Sequence, residues 1–285
     1  MTVDELLRSA TAELTRAGVD AARVDAELLL AHCLDVPRSR LRPAADVDAA
    51  TVHRFRALLA RRVAREPHQY VVGEAPFRHL VLQVGPGVFI PRPETELLVD
   101  AVLPFVRAMA HPVVVDLCAG SGALALAIAG EAPGSQVIAV EDDPAAGAWL
   151  ARNVAAGGAG RRVDIRTTDV TDPDVLADLA GTVDVVVANP PYVPAAVEVA
   201  PEVRADPARA VFAGPLGLDV IGSLIPLAAR LLRARGLLAL EHDDTHGETV
   251  PALLSADGRW DEIVAHRDLA GRPRFATAVR AGTAT

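Results

Sequence analysis

Two short clusters carry residue types that can do chemistry. The first is Asp116-Leu117-Cys118-Ala119-Gly120-Ser121-Gly122, which continues the apolar run Val113-Val114-Val115. Glycines at such a point let the backbone turn tightly and approach a ligand closely. Gly120-Ser121-Gly122-Ala123-Leu124-Ala125 also fits the dinucleotide-binding pattern of two glycines followed by a small residue. Glu141 ends the next apolar run, about 20 residues on, where an acid that binds ribose is expected. The spacing predicts a nucleoside cofactor and leaves both NAD and S-adenosylmethionine open. Asp116 tilts the choice. An acid beside a pyrophosphate repels it, whereas the same acid suits a cationic ammonium and sulfonium. Asp169-Val170 follows a third apolar run, and Asp169 is placed to meet an adenine amino group. Acids at three successive strand ends predict a nucleoside ligand without phosphates.

The second cluster is Asn189-Pro190-Pro191-Tyr192, directly after Val183 to Ala188. The prolines fix φ near −65° and push Asn189 toward extended backbone. They lack N–H groups, so the turn offers carbonyls rather than donors. The Asn189 side-chain oxygen and the Pro190 carbonyl can then accept two N–H bonds from one planar NH₂ group. Tyr192 supplies an aromatic wall for it. Beside a nucleoside loop, this set of residues points to methylation of an amino or amide nitrogen.

Such loops need a sheet to hold them. Between 113 and 240, apolar runs typical of buried strands alternate with helical stretches, as in 123–129, 145–155 and 218–232. That rhythm predicts an α/β fold with a parallel sheet covered by helices. The last two strand-like runs, 260–266 and 275–280, have no helix between them and are expected to pair as an antiparallel hairpin at one edge. Residues 1–65 read as helical throughout. Leu6, Leu7, Ala10 and Leu14 form one stripe closed by Gly18, and Val52, Phe55, Leu59 and Val63 form another. Between 70 and 90, β-rich Tyr70-Val71-Val72 and Leu80-Val81-Leu82-Gln83-Val84 are punctuated by Gly and Pro, which predicts a hairpin. The expected organisation is a helical domain over 1–69, a β-hairpin linker over 70–90 and an α/β domain over 91–285.

Composition excludes several alternatives. The 285 residues are 51% hydrophobic and 23% charged, as in an ordinary globular protein rather than a disordered one. Every one of the 28 basic residues is arginine. The P-loop nucleotide site, the kinase strand lysine and Schiff-base chemistry all need a lysine amine and are therefore ruled out. The formal charge of −9 disfavours direct nucleic-acid binding. Up to Tyr70, 11 Arg balance 10 Asp and Glu, so the acidity lies in the remainder. Two cysteines, Cys33 and Cys118, cannot build a disulfide framework or a cysteine zinc site. His242 and His246 beside Glu241 lack a helical Glu-x-x-His context, and no metal is expected. The acidic N-terminus and the lack of a long apolar run predict a cytoplasmic chain without a membrane anchor.

The sequence resembles the bacterial release-factor glutamine methyltransferases, the PrmC/HemK family. Beyond Asn189-Pro190-Pro191-Tyr192, the likeness rests on Glu66-Pro67-His68-Gln69-Tyr70 and Val88-Phe89-Ile90-Pro91-Arg92-Pro93-Glu94-Thr95-Glu96. It extends to the stretch from Asp206-Pro207 to Leu218 and to Asp268-Leu269-Ala270-Gly271-Arg272-Pro273-Arg274. The resemblance implies a class I S-adenosylmethionine-dependent methyltransferase with a Rossmann-like seven-stranded sheet. It implies that the acceptor is the side-chain amide of the glutamine in the Gly-Gly-Gln loop of class I peptide chain release factors. Asn189, Pro190 and Tyr192 would be catalytic. Asp116, Cys118, Ala119, Gly120, Ser121, Gly122, Glu141, Asp169, Val170 and Asn189 would hold the cofactor. Asn189, Pro190, Pro191, Tyr192, Arg92 and Glu94 would meet the substrate. The chain departs from the family in places. Cys118-Ala119 stands where Gly-Thr is usual, Glu141 where the ribose acid is usually Asp, and Leu216 where Asp is usual. Glu241-His242-Asp243-Asp244 replaces a Glu-x-Gly stretch, which leaves that strand end without an assigned role. A ribosomal-protein glutamine methyltransferase and an adenine-N6 methyltransferase share the same amino-group logic. An NAD oxidoreductase or a non-catalytic nucleoside-binding adaptor would not need Asn189-Pro190-Pro191-Tyr192.

Overall fold

The computed structural model describes residues 1–172 and 174–282; residues 283–285, the end of the expected α/β domain, lie outside the described residues. The chain divides into two compact units. One comprises Met1–Glu74 with Val199–Ala205, and the other Ala75–Glu198 with Asp206–Thr285.

The first unit is helical: α1 (Val3–Arg16), α2 (Ala22–Leu34), α3 (Ala49–Val63) and α4 (His68–Val72). A reciprocal capping box starts α1, in which Thr2 and Glu5 each satisfy the other's backbone N–H. Leu6, Leu7, Ala10 and Leu14 are buried against Leu29, Leu30, Phe55 and Leu59, as the stripes predict. Each buried Leu or Phe among them contributes about 1.5–3 kcal/mol on burial. One expectation is corrected. Tyr70-Val71-Val72 is a helical turn, not a strand. Gly73 closes it with φ 81°, and the Arg61 guanidinium donates to the carbonyls of Tyr70 and Val71 at 3.0 Å each. Those tertiary bonds outweigh the β preference of a valine pair.

The unit is also discontinuous, whereas the sequence reading draws it as one stretch, 1–69. Glu202 explains why. Its carboxylate receives Arg62 Nη1 at 2.8 Å and both Nε and Nη2 of Arg65 at 2.7 Å. Buried Arg62 is paired with Asp25 as well. Two guanidinium groups push the Glu202 carboxyl down to about 2.

The second unit begins inside β1 (Glu74–Phe77), which makes a two-stranded hairpin with β2 (Leu80–Gln83). The main body then runs α5 (Glu96–Arg107), β3 (Val113–Leu117), α6 (Ala123–Glu131), β4 (Gln136–Val140), α7 (Pro144–Ala156), β5 (Val163–Arg166) and β6 (Val183–Ala188). Short helices α8 (Pro201–Arg204, in the first unit) and α9 (Ala208–Val211) precede α10 (Asp219–Leu231), β7 (Leu232–Glu241), α11 (Thr249–Asp257), β8 (Trp260–Arg267) and β9 (Pro273–Arg280). The seven-stranded sheet has the order β5-β4-β3-β6-β7-β9-β8. Only β9 runs against its neighbours. The expected terminal hairpin is present, with β9 inserted between β7 and the edge strand β8.

Register places the chemistry. Leu117 pairs with Val140 on one side and with Ala188 on the other, and Ala188 pairs in turn with Leu240. The residues that follow therefore leave the sheet in one row: Glu141, Cys118, Asn189 and Glu241. The sequence connection reverses direction between β3 and β6, which is where open α/β sheets bind ligands.

Candidate functional site

A cavity of about 250 Å³ sits at this row. The glycine loop, the ends of β4 and β5, and Asn189 and Pro191 line it together with Phe89, Pro91, Thr95 and Arg209.

The glycine loop is held from beneath. Asp116 Oδ2 accepts the N–H of Ala125 at 3.0 Å, fixing the first turn of α6. Its Oδ1 is buried and has no hydrogen-bond partner among the described residues. Burial pushes the Asp116 carboxyl up to about 8, with the nearby Glu141 charge adding and the Ala125 bond opposing. A cation entering the cavity would restore its charge. Cys118 has φ 65°, a left-handed backbone that costs a residue with a Cβ about 1 kcal/mol. This explains the glycine usual there in the family. Gly122 is required, because φ is 88° and a Cβ would come within 2.7 Å of Leu150 Cδ1. Asn153, buried on α7, donates to the carbonyls of Ser121 and Gln83 and accepts from Gln83 N–H, tying the loop to β2.

Glu141 accepts the N–H of Gly120 through Oε2 and that of Asp143 through Oε1, each at 2.9 Å. A carboxylate oxygen has a second lone pair, so both retain capacity for a diol. Burial raises the Glu141 carboxyl, against the pull of these two N–H groups. Asp169 Oδ1 accepts both the N–H and the hydroxyl of Thr171, at 2.8 and 2.7 Å. That turn orients Asp169 and Val170 in the cavity wall.

On the other side, Asn189 Nδ2 donates to Thr95 Oγ1 at 3.1 Å. Pro190 is buried, and Tyr192 donates its phenolic proton to Glu241 Oε1 at 2.9 Å. Burial and the Glu241 charge raise the Tyr192 phenol well above its usual range. The turn is backed by Gly217, whose φ of 72° and contact with the Tyr192 carbonyl leave no room for a Cβ.

The sequence expectations divide here. Asp116, Cys118, Ala119, Gly120, Ser121, Glu141, Asp169, Val170, Asn189 and Pro191 line one cavity, while Gly122, Pro190 and Tyr192 do not line it. Arg92 and Glu94 do not line it. Arg92 is paired with buried Asp206 and lies over the Phe89 ring, 4.7 Å from its centroid. Asp206 Oδ1 also accepts the N–H of Ile90. Arg92 thus braces the 88–92 segment. Thr95 lies in the Ile90 to Glu96 segment that the resemblance implies at the pocket, without being singled out there; the residues missed by sequence reasoning are Phe89, Asn153, Arg209 and Glu241. Alternation could have found the first: Val88 and Ile90 are buried, so Gly87, Phe89 and Pro91 face the cavity. Arg209 bridges to Asp142 and Asp143 at the cavity wall. The rings of His242 and His246 contact backbone carbonyls, of Asp243 and Leu216 respectively.

The PrmC N-terminal domain family matches residues 5–73, and the methyltransferase small domain family matches 86–210. The release factor glutamine methyltransferase of Mycolicibacterium smegmatis is 48% identical over 275 residues, covering 96% of each chain. The chain belongs to the release factor glutamine methyltransferase family. The family's Streptomyces coelicolor member is also 48% identical, covering 95% of this chain and 96% of its own. A 4-amino-L-phenylalanine/4-methylamino-L-phenylalanine methyltransferase of Streptomyces pristinaespiralis is 40% identical, covering 91% of this chain and 89% of its own. Among solved structures, a T. thermophilus 16S rRNA methyltransferase in complex with S-adenosylmethionine has the same fold, with a TM-score of 0.51 at 22% identity. It covers 73% of this chain, which spans 49% of that one.

The fold is the class I methyltransferase fold, and its cofactor is S-adenosylmethionine. The cavity fits that molecule on its own evidence. The partnerless Asp116 oxygen suits its ammonium, and Glu141 suits its ribose. Among the described residues no helix is long and apolar enough to cross a membrane.

Proposed function

We propose that the chain methylates the side-chain amide nitrogen of the glutamine in the Gly-Gly-Gln loop of class I peptide chain release factors. The reading is carried by one observation. The Asn189 amide is anchored through Nδ2 on Thr95, which leaves Oδ1 for an incoming NH₂ group beside the cofactor cavity.

S-adenosylmethionine supplies a methyl carbon made electrophilic by its sulfonium. The chain must do the rest, because an amide nitrogen is a poor nucleophile with a delocalised lone pair. Asn189 Oδ1 and the Pro190 carbonyl would hold its two N–H groups and aim its lone pair at the methyl carbon that the cofactor supplies. Transfer would leave the nitrogen positive and the electron pair of the broken bond with the departing sulfur. The two acceptors then bind it more strongly, which lowers the barrier selectively. The extra proton leaves once the nitrogen is cationic, so no strong base is needed beforehand. Tyr192 bounds the acceptor slot. Asp116, Glu141 and Asp169 hold the ammonium, ribose and adenine.

Glutamine is too small and common a group to be selected by this slot alone. Discrimination requires contacts remote from the amide, whose binding energy helps to place it. The helical unit, which has no part in the cavity, is the proposed docking module. The test is incubation of intact release factor with enzyme and S-adenosylmethionine, followed by mass measurement. A single added methyl, absent when the loop glutamine is replaced by alanine, is expected. Methylation of a ribosomal protein or of a free aromatic amine, with release factor untouched, would overturn the reading.

A further inference from the structure

We infer that a second cavity, beside α10, is an anion site for a small molecule that carries two or more phosphate groups. The site is separate from the methyl-transfer centre and does not depend on the acceptor proposed above.

This cavity has a volume of about 820 Å³ and lies in the second unit. Among the described residues, Val170 and Thr171 line both it and the cofactor cavity. Four arginines line it: Arg230 near the end of α10, Arg233 near the start of β7, Arg259 just before β8 and Arg280 at the end of β9. The chain has a formal charge of −9, and its acidity lies beyond Tyr70, on the side of the chain that holds this cavity. Four cations gathered at one cavity repel one another unless an anion joins them.

The way they are held separates two of them from ordinary surface pairs. Arg280 Nε donates to the Ala229 carbonyl at 2.8 Å, and its Nη1 donates to the carbonyls of Arg259 at 3.3 Å and Ala281 at 3.2 Å. Arg230 Nη2 donates to the Val175 carbonyl. Among the described residues neither forms an ion pair, whereas Arg233 pairs with Asp184 and Arg259 with Asp257. A carbonyl fixes the direction of a guanidinium without cancelling its charge. A guanidinium has five N–H donors, so Arg230 keeps four free and Arg280 keeps two. Asp172 is the acid in the cavity wall. With Asp184 and Asp257 counted as well, the four arginines still leave the site net positive.

The guanidinium fork matches the paired oxygens of phosphate and carboxylate alike. Several forks at one cavity call for several charged oxygens within a few ångströms, which linked phosphates supply and a lone carboxylate does not. The arginines surround a cavity within the size range of small-molecule sites, rather than forming a track along which a nucleic-acid strand could run.

Calorimetry with inorganic triphosphate tests this. The full chain is first saturated with S-adenosylmethionine, so that the nucleoside cavity is filled, and divalent cations are chelated. One triphosphate per chain is expected, with affinity falling as salt rises. Arg230→Gln and Arg280→Gln should each weaken it by about tenfold or more, the scale of a lost charged hydrogen bond. Arg235→Gln removes the same charge from an exposed arginine that pairs with Glu262 and does not line the cavity, and should change it by less than about twofold. A nucleoside triphosphate run in parallel assigns the source. Tighter binding than the inorganic form means a phosphorylated small molecule whose body is also held, and equal or weaker binding means free polyphosphate.

Arg280→Gln also removes three backbone anchors, so a second readout uses the unaltered chain. On titration with triphosphate, the NMR amide signals of Gly181 and Gly222, which line this cavity, should shift, while those of Gly87 and Gly120 in the cofactor cavity stay. No saturable triphosphate binding, an affinity indifferent to both Arg230→Gln and Arg280→Gln, an equal loss in Arg235→Gln, or shifts gathered at Gly87 and Gly120 would overturn the inference. Single-stranded RNA or polyglutamate bound by a chain that ignores triphosphate would overturn it too.

Discussion

The cofactor side and the acceptor side of the cavity are built from the same sheet edge by opposite means. On the cofactor side, backbone N–H groups and carboxylates meet over short stretches of chain: Glu141 holds Asp143, 2 residues away, and Gly120, 21 away, and Asp116 holds Ala125, 9 away. On the acceptor side, prolines withhold donors, and side chains distant in sequence hold the turn. Asn189 leans on Thr95, 94 residues away, and Tyr192 on Glu241, 49 away. The first side is local and rigidly specified by the chain's own turns. The second is assembled by the fold. A cation-bearing cofactor needs acids and a close backbone, whereas an amide NH₂ needs acceptors aimed at one point.

If the two sides are separable, Asn189→Ala should show it with the largest effect. Single-turnover methyl transfer should fall by about 10²–10³, the cost of one charge-stabilising contact. The Kd for S-adenosylmethionine should stay within about threefold, since Asn189 contributes one wall of its cavity. Parallel loss of both would join the two sides into one.

Glu141→Ala should do the reverse. Cofactor binding should weaken by about 1.5–3 kcal/mol, the worth of hydrogen bonds to a charged group. Transfer from the saturated complex should change little. Calorimetry against single-turnover rates separates these outcomes, and an unchanged Kd would show that another group holds the ribose.

Protonation sharpens the contrast next. The Asp116 carboxyl is raised to about 8 and that of Glu241 to about 7, by burial in both cases. Both lie above their unfolded values, so between pH 4 and 8 or thereabouts the folded chain holds protons that the unfolded one has released. Cofactor-free stability is then greatest at the acid end and declines as pH rises toward 8, by up to about 1.4 kcal/mol per pH unit for each group. Asp116→Asn should flatten the fall in thermal midpoint between pH 6 and 8. A wild-type slope retained in that variant would place the proton elsewhere.

The smallest effect is expected at Cys118. Its left-handed backbone makes Cys118→Gly stabilising or neutral, by at most about 1 kcal/mol, in denaturant unfolding. A loss of stability would mean that the thiol's packing outweighs the strain.

What could be read from the sequence follows this same division. Gly120, Gly122 and Glu141 betray themselves because a tight turn and a ribose acid need those types at that spacing. The βα rhythm and the terminal hairpin follow from period and punctuation. Thr95 and Glu241 carry no such mark, since nothing in a strand end or a Thr-Glu pair tells that each will back the same turn. Arg92 shows the converse: its motif suggests substrate, while Asp206, 114 residues on, claims its guanidinium. The helical turn at Tyr70 was hidden for the same reason, because Arg61 supplies its carbonyl partners. Local constraint is legible in one dimension, and long-range partnership is not.

The central claim is that the turn at Asn189 presents acceptors to an amide NH₂ of a protein. Fragment mass spectrometry of release factor methylated by the wild-type enzyme tests it most directly. The account predicts one methyl group, on the side-chain nitrogen of the Gly-Gly-Gln glutamine. A methyl on a backbone atom, on any oxygen, or on a different residue would contradict it.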